Sequence, residues 1–323
     1  MSTTEFDIIE RHFKNKSINC KNILTGIGDD AAILNIMDGQ HLAVSTDTLV
    51  NDVHFLKNTS AYDIGYKSLS VNLSDMAAMS AEPLWTTLSL TMPDNNNSWI
   101  TEFAKGFFDI ANKHNVALVG GDLTNGPLSI TVQIIGCIPR GIALCRDRAV
   151  ADENIYVTGV LGMASFALSI LKGDITGHIK PTEECLIRLN RPEPRVNIGL
   201  SLRGIASGAI DISDGLVADL GHILRASSVG AEIILDDIPI YNKLVNMERK
   251  QMLSYALNRG DDYELCFTAN KKHHEEIKII ADRNNCKISC IGKITSGNQL
   301  NWKTVTGEQV DIESDGYQHF KNN

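Results

Sequence analysis

The chain has 323 residues, 43% of them apolar and 21% charged, and a formal net charge of −9. That length carries two domains of ordinary size, and the composition is neither that of a disordered chain nor that of a membrane protein. No apolar run reaches the length of a membrane span, the amphipathic start MSTTEFDIIERHFKNKS lacks the apolar core of a secretory signal, and the acidic balance without a long basic block argues against a nucleic-acid footprint.

Taken in order, the pattern predicts a helix over Glu5 to Phe13. A glycine turn, Gly26 to Asp30, follows with a short strand up to Leu34. His41 to Ser45 reads as a strand that delivers Ser45, Thr46, Asp47 and Thr48 at its end. Asp63 to Ser80 reads as one helix with Asp63 as N-cap. Its apolar residues cover most of the circumference, so it is largely buried. Ser68, Asn72 and Asp75 nevertheless fall at i, i+4 and i+7 and share one stripe. Glu82 to Met92 is β-rich. After the turn at Pro93 to Asn97, Ser98 caps a helix to His114. Val116 to Val119 is a strand ending in Gly120-Gly121-Asp122, Ser129 to Ile138 is another, and Pro139-Arg140-Gly141 closes the half.

The second half opens with Arg146-Asp147-Arg148. Strands are predicted over Ile155 to Gly159, Ala209 to Ile212, Glu232 to Leu235, Leu265 to Thr268, Lys287 to Ile291 and, more weakly, Leu300 to Val305. Helices are predicted over Met163 to Leu171, Pro181 to Asn190, Leu216 to Ala226 and His273 to Arg283. Strands and helices alternate throughout, which predicts α/β or α+β layers. Seven cysteines without a Cys-x-x-Cys pair predict reduced, mostly buried thiols in a cytoplasmic protein.

The chemistry gathers on acids placed after short apolar strands or in glycine turns: Asp29, Asp30, Asp47, Asp75, Asp122, Asp211, Asp214, Asp261 and Asp262. Any one of them is ordinary turn or cap chemistry. As a set, with Ser45, Thr46 and Ser213 beside them, they form a hard-oxygen donor list of the kind that suits Mg²⁺ and phosphate oxygens. A carboxylate on a buried helix, as Asp75 is, must be paired or must ligate a cation. No Cys/His cluster has zinc spacing. The P-loop, dinucleotide and nucleophile-elbow motifs are absent. Arg146 and Arg148 are candidate phosphate donors.

Six runs carry a resemblance. They are Gly26–Leu34, Ser45–Phe55, Val71–Met79, Gly120–Thr124, Ala209–Leu216 and Gly260–Leu265. In this order they resemble the thiamine-monophosphate kinase family. It is a branch of the superfamily of aminoimidazole ribonucleotide synthetase, selenophosphate synthetase and the hydrogenase maturation factor that dehydrates a carbamoyl group. The match spans nearly the whole chain. It implies a two-domain α/β fold like aminoimidazole ribonucleotide synthetase, whose N-terminal sheet forms a barrel-like core of a homodimer. Residues 1–145 would bind ATP and Mg²⁺ and dimerise; residues 146–323 would complete the active-site cleft.

The resemblance also implies roles. Asp30, Ser45, Thr46, Asp47, Asp75, Asp122, Asp211 and Asp214 would bind several Mg²⁺ ions. Gly121, Asp122, Arg146 and Ser213 would contact ATP, and His54, Asp261 and Tyr317 the thiamine phosphate. The family's usual residue at position 261 is glutamate; aspartate is one methylene shorter. The implied reaction is direct in-line transfer from ATP to thiamine monophosphate, without a general base. The rivals are another ATP-using superfamily member and a non-catalytic nucleotide or Mg²⁺ sensor. Selenophosphate synthetase is disfavoured because Cys20 lies in no glycine-rich segment, and the hydrogenase factor because the C-terminus lacks its terminal cysteine.

Overall fold

A computed structural model describes residues 5–18, 22–175 and 180–312. Contacts divide the chain into two units, Met1–Met76 with Ala81–Gly141, and Ala77–Ser80 with Ile142–Asn323. No helix among the described residues is long and apolar enough to cross a membrane.

The first unit contains α1 (Glu5–His12), the small hairpin β1 (Ile23–Thr25) and β2 (Ile33–Leu34), β3 (Gln40–Val50), α2 (Ala61–Ala78), β4 (Glu82–Met92), α3 (Asn97–Lys113), β5 (Ala117–Asn125) and β6 (Ser129–Pro139). The larger strands form a four-stranded sheet in the order β3-β6-β4-β5. β3 and β6 pair antiparallel without a break from Gln40 opposite Pro139 to Val50 opposite Ser129. β4 and β5 run parallel. β3 is therefore longer than its apolar run, and Ser45 to Thr48 lie inside the strand instead of at its end. Likewise β5 continues through Gly120-Gly121 to Asn125. In both cases backbone pairing with a neighbouring strand holds residues that side-chain hydrophobicity alone would release.

α2 is buried nearly all round: Leu69, Leu73, Ser70, Asn72 and Ser74 have no exposed surface. Its cap is Ser60, whose hydroxyl accepts the Asp63 N–H at 3.1 Å and donates to the Asp63 carboxylate at 2.8 Å. Asp63 thus sits in the first turn and is not the N-cap. Asn96, and not Ser98, caps α3, its side-chain oxygen taking the Trp99 N–H at 3.1 Å. The two helices touch backbone to backbone. A Cβ on Gly65 would lie 2.1 Å from the Phe103 carbonyl oxygen, and one on Gly106 would lie 1.9 Å from that of Tyr62.

The second unit contains β7 (Asn154–Thr158), α4 (Met163–Lys172), α5 (Glu183–Asn190), α6 (Val196–Ser201), β8 (Ala206–Ile212), α7 (Leu216–Ser227), β9 (Gly230–Ile234), α8 (Arg249–Leu253), β10 (Glu264–Ala269), α9 (His274–Arg283), β11 (Ile288–Thr295), β12 (Leu300–Lys303) and β13 (Gln309–Val310). Its seven-stranded sheet has the order β13-β12-β9-β11-β7-β10-β8. Among the described residues of this sheet only β9 and β12 pair in parallel. β10 is buried along its whole length, and α7 packs Leu216, Leu220 and Ile223 into the core with Ile210, Ile212 and Cys266. The sequence pattern does not announce α6 and α8: α6 starts just after the break at Pro192 and Pro194, and both are too short to show a periodicity. Cys137, Cys145, Cys185, Cys266, Cys286 and Cys290 are free thiols. Cys290 lies in β11, whereas Cys286 precedes it. Cys20 is outside the described residues.

Candidate active site

In the first unit the period-two alternation of β3 sorts the predicted ligands. Ser45 and Asp47 point toward α2, where the Ser45 hydroxyl donates to the Asp75 carboxylate. Burial, then the charge and hydrogen bond of Asp75, pushes the Asp47 carboxyl up to about 7. Two carboxylates with a hydroxyl between strand and helix thus share one half-buried place. Thr46 departs from the expectation. Alternation turns its hydroxyl to the opposite sheet face, where it accepts from Gln133 at 3.4 Å. On the α2 stripe, Ser68 donates to the Gly65 carbonyl at 2.9 Å and Asn72 to the Ser68 carbonyl at 3.1 Å. The buried Asn72 Oδ1 finds no donor among the described residues.

A second group surrounds a cavity of about 570 Å³. Asp29, Asp30, Gly121, Asp122 and Lys14 line its polar side, and Phe13, Leu88 and Leu118 lie among its apolar walls. The Asp30 N–H is held by Asp29 Oδ1 at 2.9 Å, and Thr124 donates to Asp122 at 2.7 Å. Gly121 has φ +154°, and a Cβ there would stand 1.9 Å from the Leu88 carbonyl oxygen, so only glycine fits. His54 lies in the turn after β3. Its Nδ1 accepts the Val50 N–H at 3.0 Å, which leaves the proton of the neutral ring on Nε2. Lys67 donates to the His54 carbonyl at 3.4 Å. Among the described residues no three His, Cys, Asp or Glu side chains converge on one point.

In the second unit, Asp211 is buried in β8. Ser213, Asp214 and Gly215 form the turn into α7. Gly215 has φ +111°, open only to glycine. The neighbouring segment Gly260 to Tyr263 clasps this turn. The Asp261 N–H donates to the Ser213 carbonyl at 2.9 Å and the Tyr263 N–H to that of Ile212 at 2.8 Å. Asp261 and Tyr263 themselves have φ of +71° and +49°, a costly conformation that persists only where the surroundings impose it. Arg146 is exposed, and its carbonyl accepts from Ser227 at 2.8 Å; burial, then the charges of Arg225 and Arg146, lowers the His222 imidazole. Arg148 instead donates to the Ala143 carbonyl at 2.9 Å. Tyr317 lies outside the described residues.

Three buried acids of this region lie outside the roles the resemblance implies, and of them Asp262 alone stood in the acid set read from the sequence. Asp262 accepts the Gly162 N–H, the N-cap of α4, at 3.1 Å through both oxygens. Burial, followed by the charges of Glu264 and Asp261, holds it well above the usual carboxylate range. Glu264 takes Arg195 in a two-point ion pair. Asp219 accepts the N–H groups of Asp214 and Gly215, both at 3.1 Å, and burial pushes it up to about 7. Asp219 had a legible signal. It falls at i+3 on the apolar stripe Leu216, Leu220 and Ile223, where an acid is out of place.

Residues 28–138 match the family AIR synthase related protein, N-terminal domain, and residues 151–303 its C-terminal domain. The thiamine-monophosphate kinase of Buchnera aphidicola subsp. Acyrthosiphon pisum (strain APS) is 47% identical over 322 residues, covering 99% of this chain and 100% of that protein. The crystal structure of thiamine-monophosphate kinase from Stenotrophomonas maltophilia K279a is 43% identical with a TM-score of 0.85, over 94% of this chain and 97% of that one. A structure of AaThiL complexed with AMPPCP and TMP is 28% identical with a TM-score of 0.75, over 98% of this chain and 97% of that one. The two-domain α/β fold is thus that of the AIR synthase related proteins, and the chain belongs to the thiamine-monophosphate kinase family.

Proposed function

We propose that the chain transfers the γ-phosphoryl group of ATP directly to thiamine monophosphate, giving ADP and thiamine diphosphate. The observation that carries this is the full-length identity of 47% to a thiamine-monophosphate kinase, joined to a site made of carboxylates and glycine turns. The acceptor phosphate has a second pKa of about 6 and is already largely dianionic at neutral pH. A general base is therefore unnecessary. The task of the protein is to bring two polyanions together and align them in line.

The donors present fit Mg²⁺. They are oxygens throughout, and the crowding that raises Asp47 against Asp75 is the kind a divalent cation relieves. Asp30, Ser45, Asp47, Asp75 and Asp122 of the first unit, and Asp211 and Asp214 of the second, would hold several ions. When bound, Mg²⁺ neutralises phosphate charge and stabilises the transferring group. Gly121 lets backbone approach an anion, with Arg146 and Ser213 as further nucleotide contacts. His54 and Asp261 orient the acceptor. The clasp between Gly260 to Tyr263 and Ser213 fixes the backbone at Asp261. Residues 1–145 carry the nucleotide, metal and dimer functions in this reading, and residues 146–323 the remainder of the site.

Product analysis with ATP, Mg²⁺ and a panel of acceptors is the test. Thiamine monophosphate is expected to yield the diphosphate, and free thiamine no phosphorylated product. Equal rates with free thiamine would overturn the acceptor assignment. ATP binding without turnover on any acceptor would favour a sensor.

The protein is also proposed to be a homodimer through the outer face of the first sheet. Trp85 is buried, and the outward residues of β4 (Thr87, Ser89 and Thr91) are polar and half-buried. The apolar surface lies on β3 instead, where Leu42, Val44 and Val50 are 48%, 55% and 37% exposed. Such a row on an edge strand calls for cover. Light scattering at micromolar concentration should give a dimer, and Leu42→Glu with Val44→Glu should give a monomer. A monomeric parent protein would rule the interface out.

A further inference from the structure

We infer that Asp219 is a positioning residue for the Ser213–Gly215 turn, and through that turn for Asp214. The inference rests on the reading of Asp214 and Ser213 as site residues. Asp219 lies on the inward face of α7 with 2% of its surface exposed. Leu216, Leu220 and Ile223 surround it on that face, and a leucine would suit the position by hydrophobicity alone. A buried carboxylate is costly there unless it is hydrogen-bonded. Its bonds go to two adjacent backbone N–H groups, those of Asp214 and Gly215, at 3.1 Å each.

Those two bonds fix the peptide planes on either side of the Asp214 Cα, and with them the direction of its side chain. The rest of the turn is held by backbone. Gly215 sits so tightly that a Cβ would lie 2.8 Å from the Leu257 carbonyl oxygen. Gly260 approaches until a Cβ would stand 1.6 Å from the Ser213 carbonyl oxygen. The Asp261 N–H donates to that same oxygen at 2.9 Å. Among these clamps Asp219 is the one made by a side chain, so substitution can release it without touching the ligands.

The variants are Asp219→Ala, which removes the acceptor, Asp219→Leu, which fills the space, and Asp219→Asn, which keeps an acceptor oxygen. Calorimetry measures binding of the non-hydrolysable analogue AMPPCP across a Mg²⁺ titration, with no acceptor present. Melting temperature and steady-state rates are measured on the same preparations. The Ala and Leu variants should shift the Mg²⁺ midpoint upward and lower kcat by roughly 10–100-fold, with KM for thiamine monophosphate unchanged. Asn should restore both most of the way. If the folded Ala or Leu variant keeps the parental Mg²⁺ midpoint, and only the melting temperature falls, Asp219 is a brace for the core and the inference is wrong. It is also wrong if a folded Asn variant behaves like Ala. A parent protein that binds Mg²⁺ with AMPPCP but phosphorylates no thiamine monophosphate would overturn the acceptor reading and leave this result standing.

Discussion

Asp75→Asn is expected to abolish phosphoryl transfer while leaving the fold intact. Asp75 projects from the buried helix α2 toward β3, where Ser45 donates to it and Asp47 is raised by it. Asparagine is nearly isosteric and still accepts from Ser45, so packing is preserved. What is lost is charge at the place proposed to hold a cation. Losing metal stabilisation in the reacting complex costs several kcal/mol, so about 4 kcal/mol corresponds to roughly a thousandfold in rate. Stability should move the other way in metal-free protein. The Asp47 carboxyl is lifted from about 3.9 when unfolded to about 7 when folded, by burial first and Asp75 second. Its contribution to stability is fully present below about pH 4 and is lost as pH rises through about 7. Removing the Asp75 charge removes part of that loss. In chelator, the variant should therefore melt higher than the parent at pH 8, with the difference shrinking toward pH 4. Near-parental turnover at modest Mg²⁺, or activity loss that merely tracks a lower melting temperature, would refute the metal-site reading of α2.

The largest effect on stability is expected at the Glu264–Arg195 pair. Glu264 has 1% of its side chain exposed and Arg195 10%. Arg195 donates from Nε at 2.6 Å and from Nη2 at 2.5 Å, and Thr158 adds a third hydrogen bond at 2.6 Å. Arg188, at 3.6 Å, stands at the rim with a third of its side chain exposed. Removing one partner leaves the other charge buried, which typically costs about 3–5 kcal/mol. Glu264→Ala and Arg195→Met should each lower the unfolding midpoint by that order. The pair Arg195→Met with Glu264→Leu should regain much of the loss, because it strands no charge. Glu264 directly follows the Gly260 to Tyr263 segment, so the single variants should also weaken the acceptor contact proposed at Asp261 and raise KM for thiamine monophosphate. Urea or thermal unfolding decides the matter. Single-variant losses below about 1 kcal/mol would be those of a solvent-exposed pair and would contradict the buried lock.

Much of this was open to a reading of residues in order. The alternation of strands and helices, the buried character of α2, the span of β4 and the acids proposed to carry the chemistry follow from periodicity and turn chemistry. Both are properties of residues a few positions apart. The caps at Ser60 and Asn96 fall a few residues before the expected Asp63 and Ser98, because these are equally good capping types and only the path of the chain selects between them. The site itself is a matter of long-range register. Asp47 meets Asp75, 28 positions away in sequence, because β3 pairs with β6 along eleven residues and lays one face under α2. The same register turns Thr46 away, although it stands between Ser45 and Asp47 in the chain. Asp219 and the Glu264–Arg195 pair are likewise made by burial, which raises the cost of a charge and so demands a partner. A linear string records which groups are charged. The tertiary structure alone decides which of them leave water, and it is desolvation that turns ordinary acids into a site.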